Sequence, residues 1–271
     1  MKKLFKLMSV MFVTMAMAAA PVFAGNVVIK GSTTVLPIAQ AVAESFMADY
    51  PDMKVSLSGG GSGNGIKAII DDTADIGNAS RFIKDKEIEL AMSKGVLPVP
   101  HRIALDCIAP VVHPSNGVSD LTMDQIRKIY KGEYENWSEV GGADKKIVVV
   151  SRDSSSGTFG VWKKIVMDGG RVVPSALTVP SNGAVVQAVA KTPSSIGYIG
   201  LGYMNKDVKS VSVGGVEATE ENTVNGSFPI SRPLFMFTNG WPEGDTMAFL
   251  GYLLSRKGQD LVKEAGSIPL F

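Results

Sequence analysis

The chain of 271 residues has little of what most reactive sites are built from: one cysteine, two histidines and three tryptophans, with 27 basic side chains against 26 acidic ones. One cysteine, Cys107 in "IALDCIAPVV", cannot close an internal disulfide, and its apolar neighbours mark it as a buried, inert residue. His101 and His113 lie 12 apart with no cysteine partners and no i, i+4 relation, which argues against a zinc site, and no metal or cofactor is expected. The charge balance leaves no basic footprint for nucleic acid. Neither a G-x-G-x-x-G fingerprint nor a G-x-S-x-G elbow is present, and "GGGSGNGIK" misses the G-x-x-x-x-G-K-[ST] loop by one residue.

What is present begins at the N-terminus. "MKKLFKLMSVMFVTMAMAAAPVFA" combines Lys2, Lys3 and Lys6 with an apolar run and small residues at Val22 and Ala24, the pattern of a Sec signal peptide cut after Ala24. The run between Lys6 and Pro21 is 14 residues, below the roughly 17 to 25 that a spanning helix needs. No cysteine follows it to carry a lipid, so the expectation is a free, exported chain with no stable membrane anchor, its charge lowered to 24 basic against 26 acidic residues.

Downstream, short β-branched runs alternate with longer amphipathic ones, which predicts an α/β architecture. "VSDLTMDQIRKIYKG" predicts a helix with Thr122 as N-cap, Gln125 completing a capping box and Gly132 as the stop. Two further apolar, strand-like segments, "HRIALDCIAPVV" and "FPISRPLFMF", bracket a middle section of about 120 residues. They read as two hinge strands joining a discontinuous lobe (25–104 plus 229–271) to a second lobe (105–228), with a ligand cleft between them.

Three Gly/Ser/Thr turns each stand between a strand and a helical run: "GSTT" at 31–34, "GGGSGNG" at 59–65 and "SSSGT" at 154–158. The first N–H groups of a helix have no intrahelical acceptor and carry the positive end of the macrodipole, so an anion is their natural occupant. Glycine admits a ligand close to the backbone, hydroxyls add donors, and Arg152 supplies a planar fork for two oxygens. Singly these turns are ordinary caps; their threefold repetition points to a small tetrahedral oxyanion. A serine hydrolase using Ser62 or Ser156 would need a base, and neither histidine stands near an elbow motif.

"GSTTVLPIA", "GGGSGNGIKAIIDDTADIGNASR", "SRDSSSGTFGVW" and "SIGYIGLGY", in this order, resemble the periplasmic phosphate-binding proteins of phosphate ABC transporters. The resemblance implies a two-lobed, type II-like periplasmic-binding-protein fold that closes on one inorganic phosphate. It further implies a periplasmic, monomeric protein that delivers the ion to an inner-membrane permease with its ATPase. Carried over, Thr33 and Thr34 donate from the first turn, Ser62 from the second, and Arg152, Ser156, Gly157 and Thr158 from the third. For Arg152 a surface ion pair with Asp153 is the plainer alternative. One departure stands out: Ser80 occupies a position where family members carry an aspartate that accepts the phosphate proton. That keeps a sulfate-like ligand open. Asp106, on the first hinge strand, is the carboxylate to take over, or else it orders the hinge or pairs with Arg152. Arg81 reads as a solvated or salt-bridged side chain rather than a ligand.

Overall fold

The computed structural model describes residues 25–271, so the expected signal peptide lies outside the described residues. Strands are β1 (Asn26–Gly31), β2 (Lys54–Ser58), β3 (Ile76–Ala79), β4 (Pro98–Val112), β5 (Asp120–Leu121), β6 (Val148–Arg152), β7 (Leu177–Val179), β8 (Ser195–Gly200), β9 (Lys209–Ser210), β10 (Ser212–Val213) and β11 (Ser231–Asn239). Helices are α1 (Leu36–Asp49), α2 (Ser62–Ile70), α3 (Asp85–Ser93), α4 (Met123–Lys131), α5 (Gly157–Ile165), α6 (Asn182–Lys191), α7 (Glu220–Val224), α8 (Gly244–Leu254) and α9 (Arg256–Glu264). The expected α/β alternation is what forms.

The main sheet runs β2-β1-β3-β11-β4-β8-β6-β7, with β9 on β4. Parallel triplets, β2-β1-β3 at one end and β8-β6-β7 at the other, are joined in the middle by antiparallel β11 and β4. β4 changes partner within its length: Pro98 to Cys107 pair with β11, and Ile108 to Val112 pair with β8. β4 and β11 are therefore the two crossings expected from "HRIALDCIAPVV" and "FPISRPLFMF".

Buried apolar side chains divide at these crossings. One group, including Val27, Ile38, Phe46, Ile103, Ala104, Leu234 and Phe249, draws only on the chain up to 104 and from 234 onward. The other, including Cys107, Trp137, Trp162, Tyr198 and Ile230, draws only on 107–230. Two cores joined through two paired strands make a two-lobed fold, and side chains projecting from the crossings meet both lobes.

Local signals behave as their chemistry dictates. Thr122 Oγ1 accepts the Gln125 N–H at 3.2 Å, the Gln125 side chain accepts the Thr122 N–H at 2.8 Å, and Gly132 ends α4 at φ 76°. α6 stops at Lys191, ahead of Pro193, because a helical residue before proline meets its ring. Cys107 is fully buried, and burial first, with the neighbouring Asp106 charge second, pushes its thiol up to about 12.

Candidate functional site

β1, β2 and β6 each lead through a glycine- or serine-rich turn toward a helix, and all three turns meet at the cleft. The first turn holds Thr33 and Thr34 just ahead of α1; its geometry is fixed by the Ser32 hydroxyl, which accepts the Thr34 N–H at 3.2 Å. Gly61, at φ 98°, precedes α2, a left-handed conformation that a side chain would strain, and Ser62 is the first helical residue. Ser156 caps α5 by accepting the Phe159 N–H at 3.2 Å. Gly157 and Thr158 follow as the first two helical residues, and their N–H groups have no intrahelical acceptor.

Contacts across the cleft and within the first lobe bring these turns together. Thr34 Oγ1 lies 3.1 Å from Thr158 Oγ1. Ser62 Oγ accepts the Ser80 N–H at 3.0 Å and lies 3.3 Å from Ser80 Oγ. A methyl group added at Gly157 would stand 2.2 Å from Ser62 Oγ and 2.6 Å from Ser80 Oγ, so glycine here is what lets the third turn reach the second. Thr33, Thr34, Ser62, Ser80, Ser156 and Thr158 are all buried.

Asp106 lies beneath the hydroxyls, on β4, directly opposite Arg232 on β11 in the antiparallel register. Cross-strand neighbours of this kind share a face, and the two form a fully buried pair: Arg232 Nε and Nη2 donate to Asp106 Oδ2 at 2.9 and 2.7 Å. The Leu201 N–H donates to Oδ1 at 2.9 Å. Arg232 spends its remaining donors on the site itself, reaching Thr158 Oγ1 at 3.1 Å, Thr34 Oγ1 at 3.2 Å and the Ser80 carbonyl at 3.2 Å. The partner for Asp106 is thus Arg232 and not Arg152, because the register opposes the first two directly.

Arg152 ends β6 and is only 3% exposed, which excludes the surface pairing with Asp153. Nε donates to the Val179 carbonyl at 3.1 Å, and Nη2 to the Pro180 carbonyl at 2.8 Å and the Thr33 hydroxyl at 3.5 Å. Nη1 is buried and has no hydrogen-bond partner among the described residues. Burial lowers the guanidinium from its ordinary value, with the Asp153 charge opposing that, yet arginine stays protonated. A buried cation held by carbonyls, with no carboxylate on it, needs an anion to complete it.

All nine residues expected from the sequence converge. Two more belong with them. Asn182, fully buried, donates from Nδ2 to Thr33 Oγ1 at 3.2 Å and Thr34 Oγ1 at 3.0 Å, while its Oδ1 accepts the Gly200 N–H at 3.3 Å. The signal was available: "SNG" is a fourth small polar turn at a helix start, with Ser181 accepting the Ala184 N–H. The second, Arg232, stood in "FPISRPLFMF", read only as a crossing. Arg81 stays outside, its fork spent on both Glu87 oxygens at 2.8 and 2.7 Å. Neither histidine serves Ser62 or Ser156 as a base: His101 binds Thr238 and His113 binds Ser115.

Comparison with known proteins identifies the family. The model of the PBP superfamily domain matches residues 18–257. The phosphate-binding protein PstS of Bacillus subtilis is 35% identical over 248 residues, covering 91% of this chain and 81% of its own. That of Pseudomonas aeruginosa is 32% identical, covering 91% and 83%. A Clostridium perfringens structure, described as a phosphate ABC transporter substrate-binding protein with bound phosphate, superimposes with a TM-score of 0.85 at 36% identity over 91% of this chain and all of that one. An ABC-type phosphate transport receptor from Vibrio cholerae gives 0.72 at 31% identity, covering 89% and 99%. With two lobes, a buried oxyanion cradle and relatives of this similarity along most of its length, the chain belongs to the PstS family of phosphate-binding proteins within the PBP superfamily.

Proposed function

We propose that this protein captures one inorganic phosphate between its lobes and passes it to an inner-membrane ABC permease with its ATPase. Exported under the signal peptide of residues 1–24, it works in the periplasm as a free monomer and carries out no chemistry on its ligand. The single observation that carries the reading is Arg152: a buried guanidinium that meets the Thr33 hydroxyl of the first turn and, among the described residues, no carboxylate. Relatives named for phosphate, at up to 36% identity, support the choice among tetrahedral oxyanions.

In this reading the hydroxyls of Thr33, Thr34, Ser62, Ser156 and Thr158 and the first N–H groups of α2 and α5, those of Ser62, Gly157 and Thr158, donate to phosphate oxygens. The charge at the site is two guanidiniums against the Asp106 carboxylate, so one positive charge remains for the anion. Asp106 has Oδ2 engaged twice by Arg232 and Oδ1 by Leu201. We therefore assign it to neutralising Arg232, and assign the acceptor role for the phosphate proton to Ser80 Oγ. The lobes are 25–104 plus 229–271 and 105–228, a division that the two cores support except at Ile230, which packs in the second core. A ligand touching both stabilises the closed form only, which makes hinge closure the functional motion.

Calorimetry of the chain from Gly25 onward, with phosphate and then sulfate near pH 7, tests the proposal. One-to-one phosphate binding, tighter than sulfate, is expected. Sulfate binding without phosphate binding, or turnover of p-nitrophenyl phosphate, would overturn it.

A further inference from the structure

The segment "SIGYIGLGY" does more than form a strand. β8 carries Tyr198, whose hydroxyl lies 2.9 Å from Ser151 Oγ and accepts the Arg152 N–H at 3.2 Å. The chain then leaves the sheet as a short 3-10 turn, Leu201–Tyr203. That turn belongs with the core of the middle section, against which Tyr203 packs. Its polar groups nevertheless point at the crossing and at the other lobe. The Leu201 N–H holds Asp106, and the Tyr203 hydroxyl donates to the backbone carbonyl of Thr33 at 2.6 Å. Gly200 permits the approach: a methyl group there would lie 2.9 Å from both Asp106 Oδ2 and Thr34 Cγ2.

A second bridge spans the lobes between the second and third turns. The Ser155 carbonyl accepts the Gly63 N–H at 2.9 Å, and Ser155 Oγ donates to the Gly60 carbonyl at 3.0 Å. Gly61 packs so close that a methyl group would stand 2.6 Å from Ser155 Oγ. None of these bonds uses a side-chain donor that the proposed ligand needs. Thr33 is gripped through its carbonyl, leaving its hydroxyl to Asn182 and Arg152.

We propose that Tyr203 is an affinity-determining residue that touches no ligand: its hydroxyl latches the turn of lobe II to Thr33 of lobe I and thereby sets how long the cleft stays closed. The closed form alone contains this bond, so its free energy adds to the closing equilibrium and reaches the ligand through it. Burial pushes the Tyr203 hydroxyl up, against a weaker pull from Arg152, so the group stays a donor throughout the neutral range. Opening the lobes returns both partners to water, whereas Tyr203→Phe leaves the Thr33 carbonyl without this donor only in the closed form.

This inference rests on the phosphate reading for its ligand but not for its mechanism. Dissociation of phosphate by stopped flow and affinity by calorimetry, on wild type and Tyr203→Phe, give the first test. The variant is expected to release phosphate about three- to tenfold faster and to bind it weaker by the same factor. Its preference for phosphate over sulfate should be unchanged. Small-angle scattering gives a test without any ligand: the radius of gyration of the unliganded variant should exceed that of wild type, while Ser80→Ala, which alters the cradle and not the latch, should match wild type. Equal release rates and equal radii overturn the latch, and so does an altered phosphate-to-sulfate ratio, which would mean that Tyr203 positions the ligand's donors. If wild type itself fails to bind phosphate, the function reading falls, and the scattering comparison still decides the latch.

Discussion

Arg152 and Arg232 are both about 3% exposed and both donate to the threonines of the first turn, yet their charges meet different surroundings. Arg232 is paired in the sheet, opposite Asp106, and its free donors orient Thr34 and Thr158. Among the described residues, the Arg152 guanidinium is held only by carbonyls and a hydroxyl. A buried pair contributes little net stability but fixes geometry, whereas a buried single cation costs stability and creates demand for an anion. In the proposed reading, one end of the site is scaffold and the other is the source of affinity.

Making the two ends alike should be costly. Asp106→Asn turns the scaffold end into a second unpaired cation, and stranding a buried charge costs about 3–5 kcal/mol, here a fall in Tm of about 10 °C. Added phosphate should recover part of that fall, because an anion then serves both guanidiniums. A differential scan with and without phosphate measures it, and an unchanged Tm would mean that the pair does not hold the crossing together.

The contact between the turns can be tested apart from either charge. Gly157→Ala forces a methyl group against Ser62 and Ser80, and φ is not in the left-handed region, so the effect is steric and confined to the closed site. Phosphate affinity should drop about ten- to a hundredfold with little change in Tm. Ser80→Asp sharpens the contrast differently, by adding a carboxylate that has no guanidinium of its own. It should accept the phosphate proton and repel sulfate, raising the phosphate-to-sulfate ratio about tenfold by calorimetry.

A third guanidinium supplies the smallest effect. Glu87, forked to Arg81, is pushed up by burial, but the bonds from Arg81 and from the Lys84 N–H outweigh this and leave it below the ordinary glutamate value. Its folded value therefore lies under its unfolded one. The stability it contributes is present at neutral pH and is lost as pH falls below the ordinary glutamate range and through the folded value. Tm measured from pH 7 to pH 3 should fall less steeply in Glu87→Gln than in wild type, while phosphate affinity at pH 7 stays the same.

The sequence carried one end of this comparison better than the other. Arg152 was legible because it sits two residues before a serine run at a helix start, and local pattern is enough to place donors there. The α/β alternation, the capping box at Thr122 and the buried Cys107 were legible for the same reason, since each depends on neighbours in the chain. Arg232 was not legible as a site residue: its role comes from register with Asp106, 126 positions away, and sequence spacing does not encode which strand residues oppose one another. Asn182 falls between, for its turn had the right composition but its reach to Thr33 and Thr34 spans about 150 positions. Tyr203 was visible only as the end of a motif, because what it touches is a backbone carbonyl in the other lobe.

The central claim is that the Arg152 guanidinium supplies the charge that phosphate answers. Calorimetric titration of Arg152→Met with phosphate, beside wild type and Arg152→Lys, tests it directly. The expected result is a stably folded Met variant with phosphate binding weakened at least about a hundredfold, and a Lys variant that recovers part of the loss, since it restores the charge without the planar fork. Phosphate binding by Arg152→Met within a few-fold of wild type would contradict the claim.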